Sequence, residues 1–407
     1  MAPDPLSADV TPEELAELRS SCPVSRTERD FWYVARYDDA LAGMNDVHAF
    51  RASFRDPGVV VPPEEQFINE IEEPRHGHVR KIINSAIATH RLTNVEPFCR
   101  QLCDDLLTEL RNSPQPIDLV ETYIMAIPNS VIANLLGAKP EDYPRWAAWS
   151  DEVVLGTYPT QYRNERGSGL AGAHPEFTEY VDALIADRRE TPRDDFISRL
   201  LAREVDGRRL TDVEARTQLV FLFISGNETT RHLIGNLTQR LVHDPQLLEA
   251  LRADRSLIPA AIEESLRTSP PVRFLLRDCT AAGEHLNTEM ATHDKVVFGI
   301  ESANRDEARF DDPDDFKLDR ADGRRHLAFG GGPHVCPGAT LARLEARIAV
   351  EAFLDHVAAA RPVDQAVTNV ATFWARGPQS LPVQISWNDL GSSTGDNLVD
   401  TAAVAGS

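Results

Sequence analysis

Cysteine is scarce in this chain and scattered: Cys22, Cys99, Cys103, Cys279 and Cys336 are the five in 407 residues. No two of them stand in C-x-x-C spacing. That excludes a zinc finger, a four-cysteine iron–sulfur segment and a disulfide framework. Positive charge is also short, with 42 Lys and Arg against 64 Asp and Glu and a formal net charge of -22. Such a balance favours solubility and argues against nucleic acid as a partner. Nowhere do 18 apolar residues run uninterrupted, and the opening MAPDPLSADVTPEEL lacks a basic stretch followed by an apolar one. Neither a membrane anchor nor a signal peptide is expected. Scattered thiols without a framework then fit a reducing compartment, so the expected location is cytoplasmic. A dinucleotide fingerprint is missing too.

What is present is 42% apolar residues, enough for a large core. The densest chemistry lies in His326 to Val350, HLAFGGGPHVCPGATLARLEARIAV. Cys336 sits there among glycines, directly ahead of a helical pattern in which Leu341, Leu344, Ile348 and Phe353 are apolar. Glu345 and Arg347 fall on the other sides of that pattern. Free N–H groups and the helix dipole favour a thiolate at such a helix mouth. Gly330, Gly332 and Gly338 allow turns whose N–H groups donate to the sulfur. The pattern reads as a single-thiolate ligand site; the bland alternative is a buried cysteine beside a turn.

Upstream, EEPRHGHVRKIINSAI puts His76 and Arg80 four apart on one helical face behind Pro74, a pair of donors for an anion. The competing reading is a solvated basic face that includes Arg75, His78 and Lys81. A second helix follows over 95–112, with Cys99 and Cys103 on one face as core thiols. Phe31 to Tyr37 predicts a strand, Pro128 a kink or a turn inside an apolar helix, and Gly207 a hairpin. Thr211 and Glu214 make a capping box. The helix after it, QLVFLFISGNETTRHLIGNLTQRLV, is apolar almost all round and so is expected to be buried. Its middle holds Ser225, Gly226, Asn227, Glu228, Thr229 and Thr230, which cost stability there unless something needs them. Gly226 leaves room for a flat ligand or a bound gas, and a carboxylate beside a hydroxyl can relay protons. The alternative is a threonine bonded back to its own helix and a glutamate in an internal salt bridge.

These segments together resemble the cytochrome P450 family, soluble bacterial type, over about residues 30 to 387. The loop pattern F-G-x-G-x-H-x-C-x-G is filled by Phe329, Gly330, Gly332, His334, Cys336 and Gly338. The pattern x-P-x-H-x-x-x-R is filled by Pro74, His76 and Arg80. The oxygen-activation pattern [AG]-G-x-[DE]-T-[TS] is filled from Gly226 through Glu228 and Thr229, with Ser225 where alanine or glycine is usual. Glu264 and Arg267 fill E-x-x-R, a structural ion pair. The resemblance implies a mainly α fold with small β-sheets: residues 1–387 form one catalytic domain and 388–407 a disordered tail. It implies heme b (iron protoporphyrin IX) with Cys336 as the iron ligand, Phe329, Gly330 and Gly338 in the cofactor loop, and His76, Arg80, Arg277 and His334 at the propionates. Thiolate ligation is the known arrangement of this family and favours O–O bond cleavage. Glu228, Thr229 and Gly226 are the implied catalytic residues. Val60, Phe221, Ile224, Ser225, Arg273, Phe274 and Phe373 are the implied pocket, which leans toward an apolar terpenoid, steroid or polyketide-like substrate. Val59, Val61, Phe67, Thr372 and Trp374 flank these, and the glycine-rich stretch 158–177 is expected to be a lid loop or a surface excursion. The implied reaction inserts one oxygen atom of O2, with electrons from a separate ferredoxin and ferredoxin reductase. A docking surface is expected at Arg324, Arg325, Arg343 and Arg347. The other readings are a peroxide-using or atypical member of the family, and a haem-binding sensor or carrier without catalysis.

Overall fold

The computed structural model describes residues 4–53, 61–89, 92–155, 175–363, 368–370 and 374–389. Val59, Val60, Thr372 and Phe373, the stretch 156–174 and the tail from 390 onward lie outside them. Thr11 opens α1 (Pro12–Ser21) with a reciprocal capping box to Glu14. The predicted strand over 31–37 is confined to β2 (Trp32–Val34), which pairs with β1 (Val24–Arg26). It ends early because Asp306 Oδ2 accepts the Tyr37 N–H at 2.8 Å and so starts α2 (Tyr37–Asn45). β3 (Phe50–Ala52) follows, and then two helices, α3 (Arg75–Thr89) and α4 (Leu92–Leu110).

After β4 (Ile117–Asp118), a wide turn over Val120–Ile124 feeds α5 (Ala126–Leu135). Pro128 therefore falls in the first turn of that helix, where its missing N–H costs nothing. Next come α6 (Tyr143–Leu155), α7 (Pro175–Glu190) and α8 (Phe196–Ala202). The hairpin expected at Gly207 is present: Val205 and Arg208 exchange both backbone bonds, and Asp206 and Gly207 take φ of 51° and 76°.

The long helix α9 (Asp212–His243) has 32 residues, about 48 Å of rise. Its capping box forms as read, with Thr211 Oγ1 accepting from the Glu214 N–H at 3.2 Å and Glu214 Oε2 from the Thr211 N–H at 3.0 Å. It crosses the centre of the molecule, buried on most sides against α5, α7, α11 (Ile258–Thr268) and α13 (Ala339–His356). Between α9 and α11 lies α10 (Pro245–Ala253). A five-stranded sheet, ordered β1-β2-β8-β5-β3, holds β5 (Phe274–Cys279) antiparallel to β8 (Lys295–Gly299), with Leu276 opposite Val297. Its one parallel pair is β2 with β8. The small hairpin of β6 (Gly283–His285) and β7 (Thr288–Met290) and the short α12 (Ile300–Ala303) flank it. After α13 the chain closes with β9 (Val357–Pro362) and β10 (Pro382–Trp387), antiparallel, with β4 on the other side of β10.

Two charge clusters fix the helices around the centre. Arg267 and Glu264 on α11 pair through two bonds, Nε to Oε1 and Nη2 to Oε2, each 2.9 Å and fully buried. Arg267 also donates to the carbonyls of Asn304, Pro313 and Asp315, and Arg320 meets Glu264 at 2.9 Å. The expected structural pair is thus a hub for the long connection between α12 and the cysteine loop. On the far face of α13, Arg347 pairs with Glu351 and with Glu96 of α4, and Arg100 bridges the same two glutamates.

Candidate active site

The cysteine loop is shaped by its glycines and tied at both ends. Leu327 N–H donates to Asn304 Oδ1 at 2.7 Å, and Cys336 N–H to the Phe329 carbonyl at 2.9 Å. Gly330 and Gly332 have φ of 74° and 65°, and a Cβ on Gly332 would collide with the Met44 carbonyl of α2. Only glycine satisfies both demands there. The loop delivers Cys336 to the wall of an internal cavity that runs between α9 and α13. Its sulfur accepts the N–H groups of Gly338 and Ala339 at the mouth of α13, the arrangement expected from the sequence. Burial pushes the thiol up, while these N–H groups and the guanidinium groups of Arg80 and Arg343 pull it down; burial wins. Arg343 stacks 4.4 Å over the Phe329 ring. Phe329, Gly330, His334 and Gly338 line the same cavity.

Beside the sulfur, four donors converge with one carboxylate among them, Glu73 against His76. His76 is buried; its Nδ1 meets Glu73 Oε1 at 3.0 Å, and its Nε2 has no partner. Its ring lies 4.3 Å from that of His334. Arg277, buried on β5, donates to the Leu276 carbonyl at 2.9 Å, and burial brings its guanidinium down to about 10. Arg80 lines the cavity and donates to the Val335 carbonyl. Burial, then the charges of His76, Arg277 and Arg80, push His334 down to about 3. Cations collected in low dielectric call for a negative partner. The two carboxylates of a haem, set beside a lone thiolate and an apolar slot, fit this donor set.

The opposite wall comes from the middle of α9. Phe221, Ser225, Gly226 and Thr229 face the cavity. At Gly226 a Cβ would stand 3.4 Å from Ile132, which bounds the room that this glycine leaves. Ser225 donates its hydroxyl proton to the Phe221 carbonyl at 2.7 Å, and Thr229 to the Ser225 carbonyl at 2.6 Å. Glu228 points elsewhere. It is 1 % exposed, bound by Arg231 at 2.7 Å and by His232 Nε2 at 2.9 Å, and absent from the cavity wall. Burial works to raise this carboxyl, but His232 and Arg231 outweigh it and hold it below the usual range. Arg231 continues outward to Asp151 of α6 at 3.2 Å. The acid and the alcohol are therefore neighbours in sequence but face different surroundings, as in the internal salt-bridge reading.

Three expected pocket residues lie off the wall. Arg273 is buried and pairs with Glu301 at 2.9 Å, while donating to the Ser7 carbonyl at 2.8 Å. Phe274 packs with Tyr33, Ala35 and Val297 behind the sheet. Ile224 turns into the helical core. The wall uses Val272 and Leu275 instead. Val60 and Phe373 lie outside the described residues. Phe67 stacks on Phe221, with ring centroids 4.7 Å apart and planes at 17°.

Two polar wall residues escaped the sequence reading. Asn69 lies in the proline-rich approach to α3, where nothing in the pattern marks it. Glu345 belongs to the polar side of the α13 pattern, yet it is buried; burial and the nearby Cys103 push its carboxyl well up, and its Oε2 has no partner. The buried Cys99 and Cys103 that surround it were the available signal. Of the four surface arginines, Arg343 is taken by Glu263 at 2.6 Å and Arg347 by Glu96 and Glu351, whereas Arg324 and Arg325 are exposed.

Comparison with known proteins agrees with this geometry. The family profile described as Cytochrome P450 matches residues 26–364. The chain is 35% identical to an erythromycin C-12 hydroxylase of Saccharopolyspora erythraea over 341 residues, 83% of this chain and 84% of that one. It is 32% identical to a steroid C26-monooxygenase of Mycolicibacterium smegmatis over 371 residues, 90% of each. Among solved structures, CYP109E1 of Bacillus megaterium in complex with testosterone superposes with a TM-score of 0.82 at 30% identity, covering 92% of this chain and 99% of that one. Fold, cysteine loop and relatives thus agree, and the chain belongs to the cytochrome P450 family as a bacterial monooxygenase.

Proposed function

We propose that the protein oxidises a mainly apolar natural product of steroid or macrolide dimensions, using haem b held by Cys336 and electrons from a separate ferredoxin and its reductase. The carrying observation is the Cys336 sulfur on the cavity wall, under two helix-mouth N–H groups and beside His76, Arg80, Arg277 and His334. Bound there, haem supplies dioxygen activation and the transfer of one oxygen atom to substrate, the other leaving as water. The protein's part is to orient and to manage protons. The Gly338 and Ala339 N–H groups moderate the sulfur's electron donation. His76 Nε2 and the two arginines neutralise the propionates. Thr229 Oγ1, in the cavity, offers its lone pairs inward while its proton lies on the Ser225 carbonyl. Glu228 is the acid next to Thr229 in the chain and the candidate proton carrier; Arg231 and His232 hold it, and Arg231 links it outward to Asp151.

The substrate class is supported by the relatives, whose names specify erythromycin and steroids, and by the apolar wall of Leu222, Val272, Leu275 and Ile300. For ferredoxin docking, the exposed Arg324 and Arg325 remain after the pairing of Arg343 and Arg347. No helix among the described residues is long and apolar enough to cross a membrane.

The test is the ferrous carbonyl spectrum of the purified protein. The red-shifted band that gives the family its name is expected, and it should be lost in Cys336→His with haem still bound. A band typical of histidine ligation in the unaltered protein would overturn the Cys336 assignment.

A further inference from the structure

We propose that Glu263 sets how strongly the Cys336 thiolate donates electrons, by holding the Arg343 guanidinium and offsetting its charge one aromatic ring away from the cysteine. The proposal deepens the function proposed above and rests on its haem–thiolate site.

Glu263 belongs to α11, next in sequence to the Glu264 of the buried ion pair, and reaches the cysteine loop and α13 instead. It is buried, and both of its oxygens are used. Oε1 accepts from Arg343 Nε at 2.6 Å; Oε2 accepts from Arg343 Nη2 at 2.9 Å and from His326 Nε2 at 3.1 Å. The Ala328 N–H donates to His326 Nδ1 at 3.2 Å, so the ring proton lies on Nε2 and the histidine adds no charge. The cluster is one carboxylate against one guanidinium, in the two-pronged geometry that holds an arginine in a fixed place.

That place is beside the cysteine. Arg343 stacks over Phe329, and the Phe329 carbonyl accepts the Cys336 N–H at 2.9 Å. Gly338 and Ala339, whose N–H groups reach the sulfur, open the same helix that carries Arg343. Burial raises the Cys336 thiol, and the Arg343 charge is one of the influences that oppose it. Two opposite charges in contact act on a third group only as a dipole, whereas a lone charge carries further in a low dielectric. Without the carboxylate, the whole Arg343 charge bears on the sulfur, stabilises electron density there and weakens its donation. Without Arg343, the carboxylate bears on the sulfur and strengthens the donation. A pair that merely braced the loop behaves differently, because loosening it from either end moves the sulfur's donation the same way.

The experiment uses the holoprotein with its carbonyl band already recorded. The midpoint potential and the C–O stretch of the ferrous carbonyl are measured for the parent, Glu263→Gln, Arg343→Gln and the double variant, at one pH and one salt concentration. Weaker donation makes the iron easier to reduce and leaves less density for the bound carbon monoxide, so both readings rise together. Glu263→Gln should raise both, Arg343→Gln should lower both, and the double variant should return close to the parent. If Glu263→Gln does not retain haem, Arg343→Lys takes its place: it keeps the charge and should stay near the parent while Arg343→Gln falls. No shift in Glu263→Gln, shifts of one sign in both single variants, a double variant displaced as far as either single one, or Arg343→Lys falling with Arg343→Gln overturns the proposal. Absence of the thiolate carbonyl band in the parent would instead overturn the haem–thiolate reading, so the two failures are told apart.

Discussion

A single residue decides more here through the direction of its proton than through its identity. Thr229 matches the family pattern by type, yet its Oγ1 proton is spent on the Ser225 carbonyl, and Glu228 beside it is held by Arg231 and His232. If proton delivery runs through this pair, Thr229→Ala should leave haem content and the carbonyl band intact while electron consumption outruns product. NADH consumption against product formed, with a reconstituted ferredoxin system, measures that; an unchanged ratio would point to a carrier or a peroxide route. His232→Ala should free one Glu228 oxygen and raise its carboxyl, shifting the pH profile of turnover upward relative to the parent. Residue types were legible from the sequence at these positions, because the motif names them. Orientation was not: the helical period puts Glu228 one step from Thr229 and says nothing of Arg231 and His232 reaching back three and four residues to claim it.

Between elements, buried charge carries the constraint. Arg267 has no exposed surface and holds the carbonyls of Asn304, Pro313 and Asp315 as well as Glu264. Arg267→Ala would leave Glu264 buried opposite Arg320 alone, a loss of about 3–5 kcal/mol for breaking such a pair. Urea unfolding should show it, with poor haem retention as a companion sign. Glu263, next to it, ties α11 to the cysteine loop and α13 through His326 at 3.1 Å and Arg343 at 2.6 Å. Burial acts to raise its carboxyl, but those partners bring it down to about 2. A depressed carboxyl contributes stability above its ordinary value near 4.5 and loses it as pH falls through about 2. Circular dichroism on acid titration should therefore show Glu263→Gln losing less stability between those values than the parent does. The sequence made α9 and α11 legible through capping, period and motif. It did not show that Phe31 to Tyr37 divides into strand and helix, because the deciding group, Asp306, lies 269 residues away from Tyr37. The same distance problem hid Arg320 beside Glu264.

At the scale of the whole molecule, a net charge of -22 coexists with an exposed basic pair, Arg324 and Arg325, beside the cysteine loop. Arg324→Glu with Arg325→Glu should slow reduction by an acidic ferredoxin and flatten its dependence on ionic strength, while the carbonyl band stays; stopped-flow reduction at two salt concentrations reads both. The overall architecture was readable because several motifs in fixed order specify one family, whereas the pocket depends on which side each residue of β5 and its approach turns. The misassigned Arg273 shows where that has practical weight. It joins Glu301 to the carbonyls of Pro5 and Ser7, and Glu301 in turn holds Arg376 at 2.7 Å. Its neighbours Val272 and Leu275 wall the cavity. Anyone who trims the first eight residues or reshapes them around an affinity tag is thus editing the far end of a tether whose near end stands beside the ligand, and a library built to change selectivity has targets at the start of the chain as well as around the iron.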